Sequence, residues 1–352
     1  MIDLSIVVVT WNTRSLTLEC LASLEAARQE LEERGGLALE AIAVDNGSSD
    51  GTAEALRAGF PWVRLVALPR NLGFAAGCNY GLKDLRGRVV LLLNSDARVT
   101  AEALEQCVRY LDEHPDVGAL GPKLLHPDGT PQSSVHNFPR LLTELVPRGL
   151  LQLLLPRRFP SRRSVGEGPL EVEAVRGAAL FAPERAIRRV GPLSEEFFFF
   201  LEETDWCWRV REAGLRVVHL PGACIFHVSG ASSKRKDRGL ALIEYHRSLY
   251  RFFRKYRGAT PAALVFALRL AKSAFYLATQ APLAALLPGH RPRWRAHRAV
   301  LAWHLRGCPA AVGLRQLGAP GAALPAAAAA PAGPAAQPAI SAPGRDRPDA
   351  RP

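Results

Sequence analysis

The chain has 352 residues, 48% of them hydrophobic, which allows a sizeable core and either two domains or one large α/β domain with appendages. Its net charge of +12 is uneven: residues 1–233 hold 25 basic and 29 acidic residues, whereas residues 234–315 hold 17 basic and 2 acidic ones. Six cysteines (Cys20, Cys78, Cys107, Cys207, Cys224, Cys308) show neither C-x-x-C nor finger spacing, which argues against a zinc finger and fits free thiols in a reducing compartment.

Leu4–Thr10 reads as a first buried strand. It follows Asp3 directly, so no signal segment is expected there and the catalytic part is expected in the cytoplasm. Trp11-Asn12-Thr13-Arg14 is a loop with Asn12 or Thr13 as N-cap. A helix follows with Leu16, Leu18, Leu21, Leu24 and Leu31 on one face, and Gly35-Gly36 ends it. Leu39–Val44 is a second strand, ending in Asp45-Asn46-Gly47-Ser48-Ser49-Asp50-Gly51. A short helix over Ala53–Ala58 and a third strand over Trp62–Leu68 come next, and then Asn71–Gly81 as a loop entering a helix of small residues. Val89–Leu93 is an apolar run that stops at Asn94-Ser95-Asp96, the pattern of a strand buried on both faces. Alternating units of this length predict a doubly wound, mostly parallel sheet. Thr10-Trp11-Asn12-Thr13 stands where a dinucleotide-binding glycine loop would be, and there is no Walker loop, so a nicotinamide cofactor is not expected.

The strand endings at Thr10, Asp45-Asn46, Asn71 and Asn94–Asp96 should converge on one crevice. Asn94-Ser95-Asp96 admits two readings, a cap for the following helix or part of a metal site. Ala101–Glu113 is a helix and Val117–Gly121 a strand. Asp128-Gly129 suggests a hairpin turn, and Gln132–Pro139 is expected to cross the sheet. Residues 141–169 read as a helical excursion plus a loop. Gly177-Ala178-Ala179 would permit close approach to the backbone, and Glu184–Val190 is a short helix. Phe197–Phe200 runs into Glu202-Glu203-Thr204-Asp205, with a helix expected over Trp206–Glu212. These three carboxylates are either an acidic first turn favoured by the helix dipole or a site where buried like charges need a proton, cation or substrate. Arg209 and Arg211 are placed to pair with them. Leu215–Leu220 is a strand, and His227 is expected in a loop, as a structural residue or a metal ligand.

Leu240–Arg257 mixes Tyr245, Leu249, Phe252, Phe253 and Tyr256 with basic residues. Residues 261–287 are apolar but are interrupted by Arg269, Lys272 and Pro282, which predicts an interfacial helix or re-entrant hairpin in preference to a spanning helix. Arg291, Arg293, Arg295 and Arg298 flank Trp294 and suit a headgroup anchor. An apolar, basic segment of this kind predicts an anionic membrane surface as partner, and no nucleic acid. Residues 316–352 are rich in Ala and Pro and are expected to be disordered.

Several stretches together resemble glycosyltransferase family 2, the inverting GT-A type, over about residues 3–250. They are Val7-Val8-Val9-Thr10-Trp11-Asn12, Val44–Gly51, Asn71–Gly77, Leu92–Asp96, Gly177-Ala178-Ala179, Glu202-Glu203-Thr204-Asp205, Arg211-Glu212-Ala213-Gly214, and His227 before Gly230-Ala231-Ser232-Ser233. Their order and spacing are most similar to rhamnosyltransferase-like members that build bacterial cell-surface glycans. The resemblance implies a GT-A catalytic domain over 1–233, a doubly wound mixed sheet. A basic amphipathic membrane-associating region over 234–315 and a disordered tail over 316–352 follow it.

The resemblance also implies roles. Thr10, Asn12, Asp45, Asn46, Asn71, Gly73, Asn79, Asn94 and Gly177 would bind the nucleotide sugar, a dTDP- or UDP-sugar with dTDP-rhamnose foremost. Asp96 would hold a divalent cation, Mg²⁺ or Mn²⁺, with His227 adding a contact. Glu203 would be the general base, with Asp205 second and Glu202 beside them. The family more often has Glu-Asp-x-Asp where this chain has Glu-Glu-Thr-Asp. His290-Arg291-Pro292-Arg293-Trp294 lacks the Gln of processive members, which points to non-processive addition. The acceptor would be a glycan or polyprenyl-diphosphate-linked glycan, and the enzyme would be peripheral on the inner face of the plasma membrane. The rival readings are a sugar nucleotidyltransferase, which would want a basic triphosphate loop after the first strand, and a catalytically dead membrane-anchored nucleotide-sugar scaffold.

Overall fold

A computed structural model describes residues 2–146, 148–154, 168–228 and 238–318. The expected boundary at 233/234, the Gly230–Ser233 motif and nearly all of the 316–352 tail lie outside them. The elements are β1 (Leu4–Thr10), α1 (Arg14–Glu33), β2 (Leu39–Asp45), α2 (Thr52–Gly59), β3 (Arg64–Ala67), α3 (Phe74–Gly81), β4 (Val89–Asn94) and β5 (Ala97–Arg98). Then come α4 (Ala101–Glu113), β6 (Val117–Leu125), β7 (Val135–His136), α5 (Leu141–Leu145), α6 (Arg148–Leu154), β8 (Leu170–Glu171), β9 (Ala174–Val175), β10 (Ala179–Pro183) and α7 (Glu184–Val190). The last are α8 (Glu202–Glu212), β11 (Arg216–His227), α9 (Arg238–Tyr256), α10 (Ala259–Leu286) and α11 (Arg291–Leu305).

The main sheet runs β3-β2-β1-β4-β10-β6-β11-β5, with β8 pairing β11. The first four strands are parallel, β10 is antiparallel to both neighbours, and β6 and β11 are parallel to each other. The sheet is therefore mixed. Period-two alternation divides the strands between two cores. Ile6, Val8, Ala43, Leu91 and Leu93 pack with Leu21, Leu24, Leu104 and Val108 on one face. Val7, Val9, Val44, Val90 and Leu92 pack with Trp206, Val210 and Phe252 on the other. Burial on both faces is why these strands read as unbroken apolar runs.

Two sequence expectations change. Residues 132–139 do not cross the main sheet, because Val135 and His136 pair with Val175 and Ala174 in a separate two-stranded sheet. Residues 261–287 are no re-entrant hairpin but a single helix up to Leu286, which turns at Pro288–His290 into α11. The two helices pack antiparallel: Tyr276 stacks on His297 at 4.1 Å, and the Trp294 indole donates to the Leu277 carbonyl at 3.2 Å.

The turn after β2 depends on glycine. Gly47 has φ +74°, and a Cβ there would lie 2.5 Å from the Arg70 Cα. Gly47→Ala is expected to destabilise the fold by about 1–3 kcal/mol through left-handed strain and backbone collision. Urea unfolding followed by circular dichroism measures this, and an unchanged midpoint would contradict it.

Candidate active site

Strand register builds the edge of the site. Thr10 lies beside Asp45, and Val9 beside Asn94. The reversed β10 brings Ala178 to the same edge, where its carbonyl accepts from the Asn94 amide at 2.9 Å. Asn94-Ser95-Asp96 then turns the chain into β5. It is not the cap of α4: Thr100 is, with its hydroxyl accepting from the Ala103 amide at 3.3 Å. β5 pairs with the end of β11, so His227 is the last residue of a strand and not part of a loop.

His227 Nε2 lies 3.2 Å from Asp96 Oδ1 and 3.4 Å from Asn94 Nδ2. Its Nδ1 lies 3.0 Å from Gln132 Oε1. The Gln132 amide nitrogen donates to the His227 and Leu125 carbonyls, so the amide oxygen faces the ring. An amide oxygen only accepts, so this network assigns the proton to Nδ1. In the neutral ring the Nε2 lone pair then points at the Asp96 carboxylate. Two electron-pair donors converging in this way suit a shared cation, with Gln132 as the group that orients the histidine. Among the described residues no three His, Cys, Asp or Glu side chains gather as an ion cage. Asp96 and His227 therefore fit a divalent ion that takes its remaining oxygens from a ligand.

A cavity opens at the ends of β1 and β2, lined by Trp11, Asn46, Asn71, Gly73, Phe198 and Leu314 among others. Asn46 fixes its floor. Its amide nitrogen donates to Asn71 Oδ1 at 3.1 Å and the Gly73 carbonyl at 2.9 Å, and its oxygen accepts from the Leu72 amide at 2.9 Å. Asn12, at φ +51°, ties two loops together through Ser48 and Ser49. Asp45 is buried and accepts from the Ser48 amide at 3.1 Å. Burial pushes its carboxyl above the usual range, and Ser48 opposes this.

Thr10 and Asn79, both expected to contact the donor, each hold bonds within the protein. The Thr10 hydroxyl is buried against Thr17 at 2.7 Å and Thr13 at 3.1 Å, and Thr13 reaches Ser95 at 3.1 Å. Its side chain links β1 to the 94–96 turn, although the residue borders the cavity. Asn79 is bonded both ways to Leu193, at 2.9 and 3.0 Å, and to Glu195 at 2.9 Å. It clamps the 193–195 loop and is not among the residues lining the cavity.

The three carboxylates of α8 separate by environment. The chain enters this helix through Phe200 and Leu201 at φ +70° and +67°, two consecutive left-handed residues that only surrounding packing can hold. Glu203 lies against Gly177, where a Cβ would come within 3.4 Å of its Cγ. His136 Nε2 is 3.9 Å from Glu203 Oε1. Burial raises the Glu203 pKa, while the Arg176 charge pulls it down. Glu202 is buried, and its Oε2 has no hydrogen-bond partner among the described residues; burial and then the Glu203 charge push its pKa well up. Asp205 is fully buried, but Arg209 donates to it at 3.0 Å, Lys255 at 2.8 Å and Tyr256 at 2.7 Å. These bonds join α8 to α9 through Asp205, the second of the expected bases. Arg211 pairs with Glu171 and not with these acids. The sequence alone assigned no role to Gln132, His136 or Arg176, whose partners His227 and Glu203 lie far along the chain.

Comparison with known proteins agrees with this fold. Residues 5–168 match the family described as Glycosyl transferase family 2. The chain is similar to N-acetylglucosaminyl-diphospho-decaprenol L-rhamnosyltransferase of Mycobacterium tuberculosis, 27% identical over 274 residues, covering 71% of this chain and 83% of the relative. It is also similar to dTDP-rhamnosyl transferase RfbF of Shigella flexneri, 24% identical over 230 residues, covering 64% of this chain and 69% of the relative. The solved structure of GalNAc-T7 with UDP, GalNAc and Mn²⁺ shares the fold with TM-score 0.51 and 15% identity, covering 70% of this chain and 47% of that one.

Glu202 gives a signed prediction. Its folded-state pKa is raised, so its contribution to stability is fully present below the unfolded value of about 4.3 and is lost as pH rises through the folded value. Glu202→Gln should therefore melt higher than the parent near neutral pH, and equally near pH ~4. Thermal unfolding at the two pH values checks this. A variant less stable at both would contradict it.

Proposed function

The chain belongs to glycosyltransferase family 2, and from that premise we propose a metal-assisted, inverting, non-processive transfer of a sugar. The donor is a nucleotide-diphosphate sugar, with dTDP-rhamnose the foremost candidate. The acceptor is a polyprenyl-diphosphate-linked glycan. The relatives' names support both choices, since one acts on a diphospho-decaprenol glycan and another on a dTDP-rhamnosyl donor. The observation that carries the proposal is the largely buried Glu203 packed against Gly177, whose neighbour Ala178 bonds to Asn94, two residues before Asp96 of the Asp96–His227 pair.

The chain's residues divide the work. Asp45, Asn46, Asn71 and Gly73 form the nucleoside side of the site, with Asn12 bracing the loops around it. Asp96 and His227, oriented by Gln132, receive the diphosphate end. A divalent cation bound there, Mg²⁺ or Mn²⁺, supplies Lewis-acid neutralisation of the leaving diphosphate. Glu203 takes the proton from the acceptor hydroxyl as that oxygen attacks the anomeric carbon from the face opposite the leaving group. Burial makes Glu203 a stronger base than a solvated carboxylate, and Arg176 limits the shift so that the anion is available.

The acceptor side implies a membrane. α10 is 28 residues long and holds an 18-residue window of mean hydropathy 1.4, long and apolar enough to cross a bilayer by length and composition. Val265, Ser273 and Ala284 are nevertheless buried along its length, while Leu264, Phe275, Leu283 and Leu286 are exposed. Its Arg269 pairs with Glu144 of α5, and its Lys272 donates to the Glu144 carbonyl. Both charges that interrupt the apolar run thus meet protein on one side. This supports a helix lying in the interface, flanked by the α11 arginines, at the inner face of the plasma membrane. The basic 234–315 region would then be the membrane-associating part of the chain and 1–233 the catalytic part.

Glu203→Gln should lower transfer by about 10²–10⁴-fold while leaving the chain folded, no less stable than the parent near neutral pH, and able to bind nucleotide. The acidic limb of kcat/KM should lie above the ordinary carboxylate range and vanish from the residual activity of that variant. Full activity of Glu203→Gln in a radiolabelled-sugar assay would contradict the assignment. The protein should also sediment with phosphatidylglycerol vesicles and not with phosphatidylcholine ones. Phe275→Glu/Leu286→Glu should weaken that binding by about tenfold or more. Equal binding to both vesicle types would contradict the membrane proposal.

A further inference from the structure

The nucleoside cavity has a wall that comes from the far end of the described chain. Leu314, 5% exposed, lines it opposite residues of the first hundred and packs with Phe198, Leu240 and Leu317. Nothing in the sequence ties position 314 to a donor site.

The segment carrying Leu314 is held by a built anchor. Glu244 of α9 is fully buried and pairs with Arg247 and, at 3.4 Å, with Arg315. Arg247, also buried, donates to the carbonyls of Pro309, at 3.1 Å, and Val312. The Arg315 guanidinium sits over the Phe198 ring, 5.0 Å from its centroid. Gly313 has φ +120°, and a Cβ there would lie 2.9 Å from Glu244 Oε2 and 3.0 Å from Arg247 Nη1. The segment therefore follows a path that glycine permits and an ion pair fixes. Buried ion pairs add little net stability but do specify one geometry. The geometry specified here places an apolar side chain in the cavity wall.

Phe198 connects this wall to the opposite one. Its carbonyl accepts from the Phe74 amide at 2.7 Å, and a Cβ on Gly73 would lie 2.6 Å from that oxygen. Ser248 of α9 donates to the Phe199 carbonyl at 3.0 Å. Gly73, Phe198 and the 313–315 segment thus form a continuous rim, and two residues past Phe199 the chain enters the helix of Glu202 and Glu203.

We infer that residues 309–318 are a strap that completes the nucleoside-binding pocket, with Leu314 as a nucleotide-positioning residue that contacts the base or sugar of a nucleoside diphosphate. This rests on the cavity being the donor site. The strap would make nucleotide affinity depend on the C-terminal helices: α9 carries Glu244 and Arg247, and α11 leads into the strap.

The test uses the full chain and calorimetric titration with dTDP and UDP, beside donor kinetics. Leu314→Ala should weaken nucleoside diphosphate binding about tenfold, the loss of one buried aliphatic side chain. Donor KM should rise in parallel and kcat at saturating donor should stay within about twofold. Arg315→Ala, which loosens the tether at a residue that packs on Phe198 but does not itself line the cavity, should give a smaller weakening in the same direction, and Leu314→Met should restore most of the affinity. Melting temperatures of the variants establish that they are folded. Unchanged affinity in a folded Leu314→Ala would overturn the strap, and so would tighter binding, which would make Leu314 a plug. If the parent chain itself binds neither nucleotide, the donor-site reading fails first, and the strap fails with it.

Discussion

The arrangement of this molecule depends on how it manages carboxylates withdrawn from water at the strand ends and on α8. Asp45, Asp96, Glu202 and Asp205 are buried and Glu203 nearly so, and an uncompensated buried charge is costly. The structure answers each one differently. Asp205 is neutralised outright by Arg209, Lys255 and Tyr256. Asp96 faces a histidine whose opposite nitrogen is fixed by Gln132. Glu202 and Glu203 receive less, and burial drives their pKa values up. On the function proposed above, the carboxyls with raised pKa are the ones that meet a substrate and a proton.

Position along the sheet turns those separate answers into one site. Parallel register sets Thr10 against Asp45, and the reversed β10 carries Gly177 and Ala178 back to the same edge. The hydroxyl chain Thr17–Thr10–Thr13–Ser95 braces β1 to the Asp96 turn from inside. The Asp205 cluster does the same for α8 from the other side. Glu203 thereby sits on a helix pinned at Asp205 and entered through the left-handed pair Phe200-Leu201. Preorganisation of this kind keeps a base in place without help from the ligand.

Much of this was legible in the chain itself. The strands from Leu4 to Leu93 declare themselves because burial on both faces gives continuous apolar runs, and the polar residues that end them mark the crevice. The acidic cluster at 202–205 was visible as charge next to an aromatic run. Roles within it were not, because sequence spacing does not show that Lys255 and Tyr256 reach back 50 positions to Asp205. The same holds for Asn79, a floor residue by motif and a clamp by its bonds to Leu193. Arg269 and Lys272 read as breaks in an apolar helix until Glu144 appears beside them. In each case a polar residue's meaning lay in a partner distant in sequence.

In the proposed function Asp96 and His227 form half of an ion site, completed by the diphosphate of the donor. Calorimetric titration of Mn²⁺, with and without dTDP or UDP, tests it most directly. Binding should be weak for the protein alone and at least about tenfold tighter with nucleotide, and Asp96→Asn should remove that gain. Equal Mn²⁺ affinity in the presence and absence of nucleotide, or a gain that survives Asp96→Asn, would contradict the account.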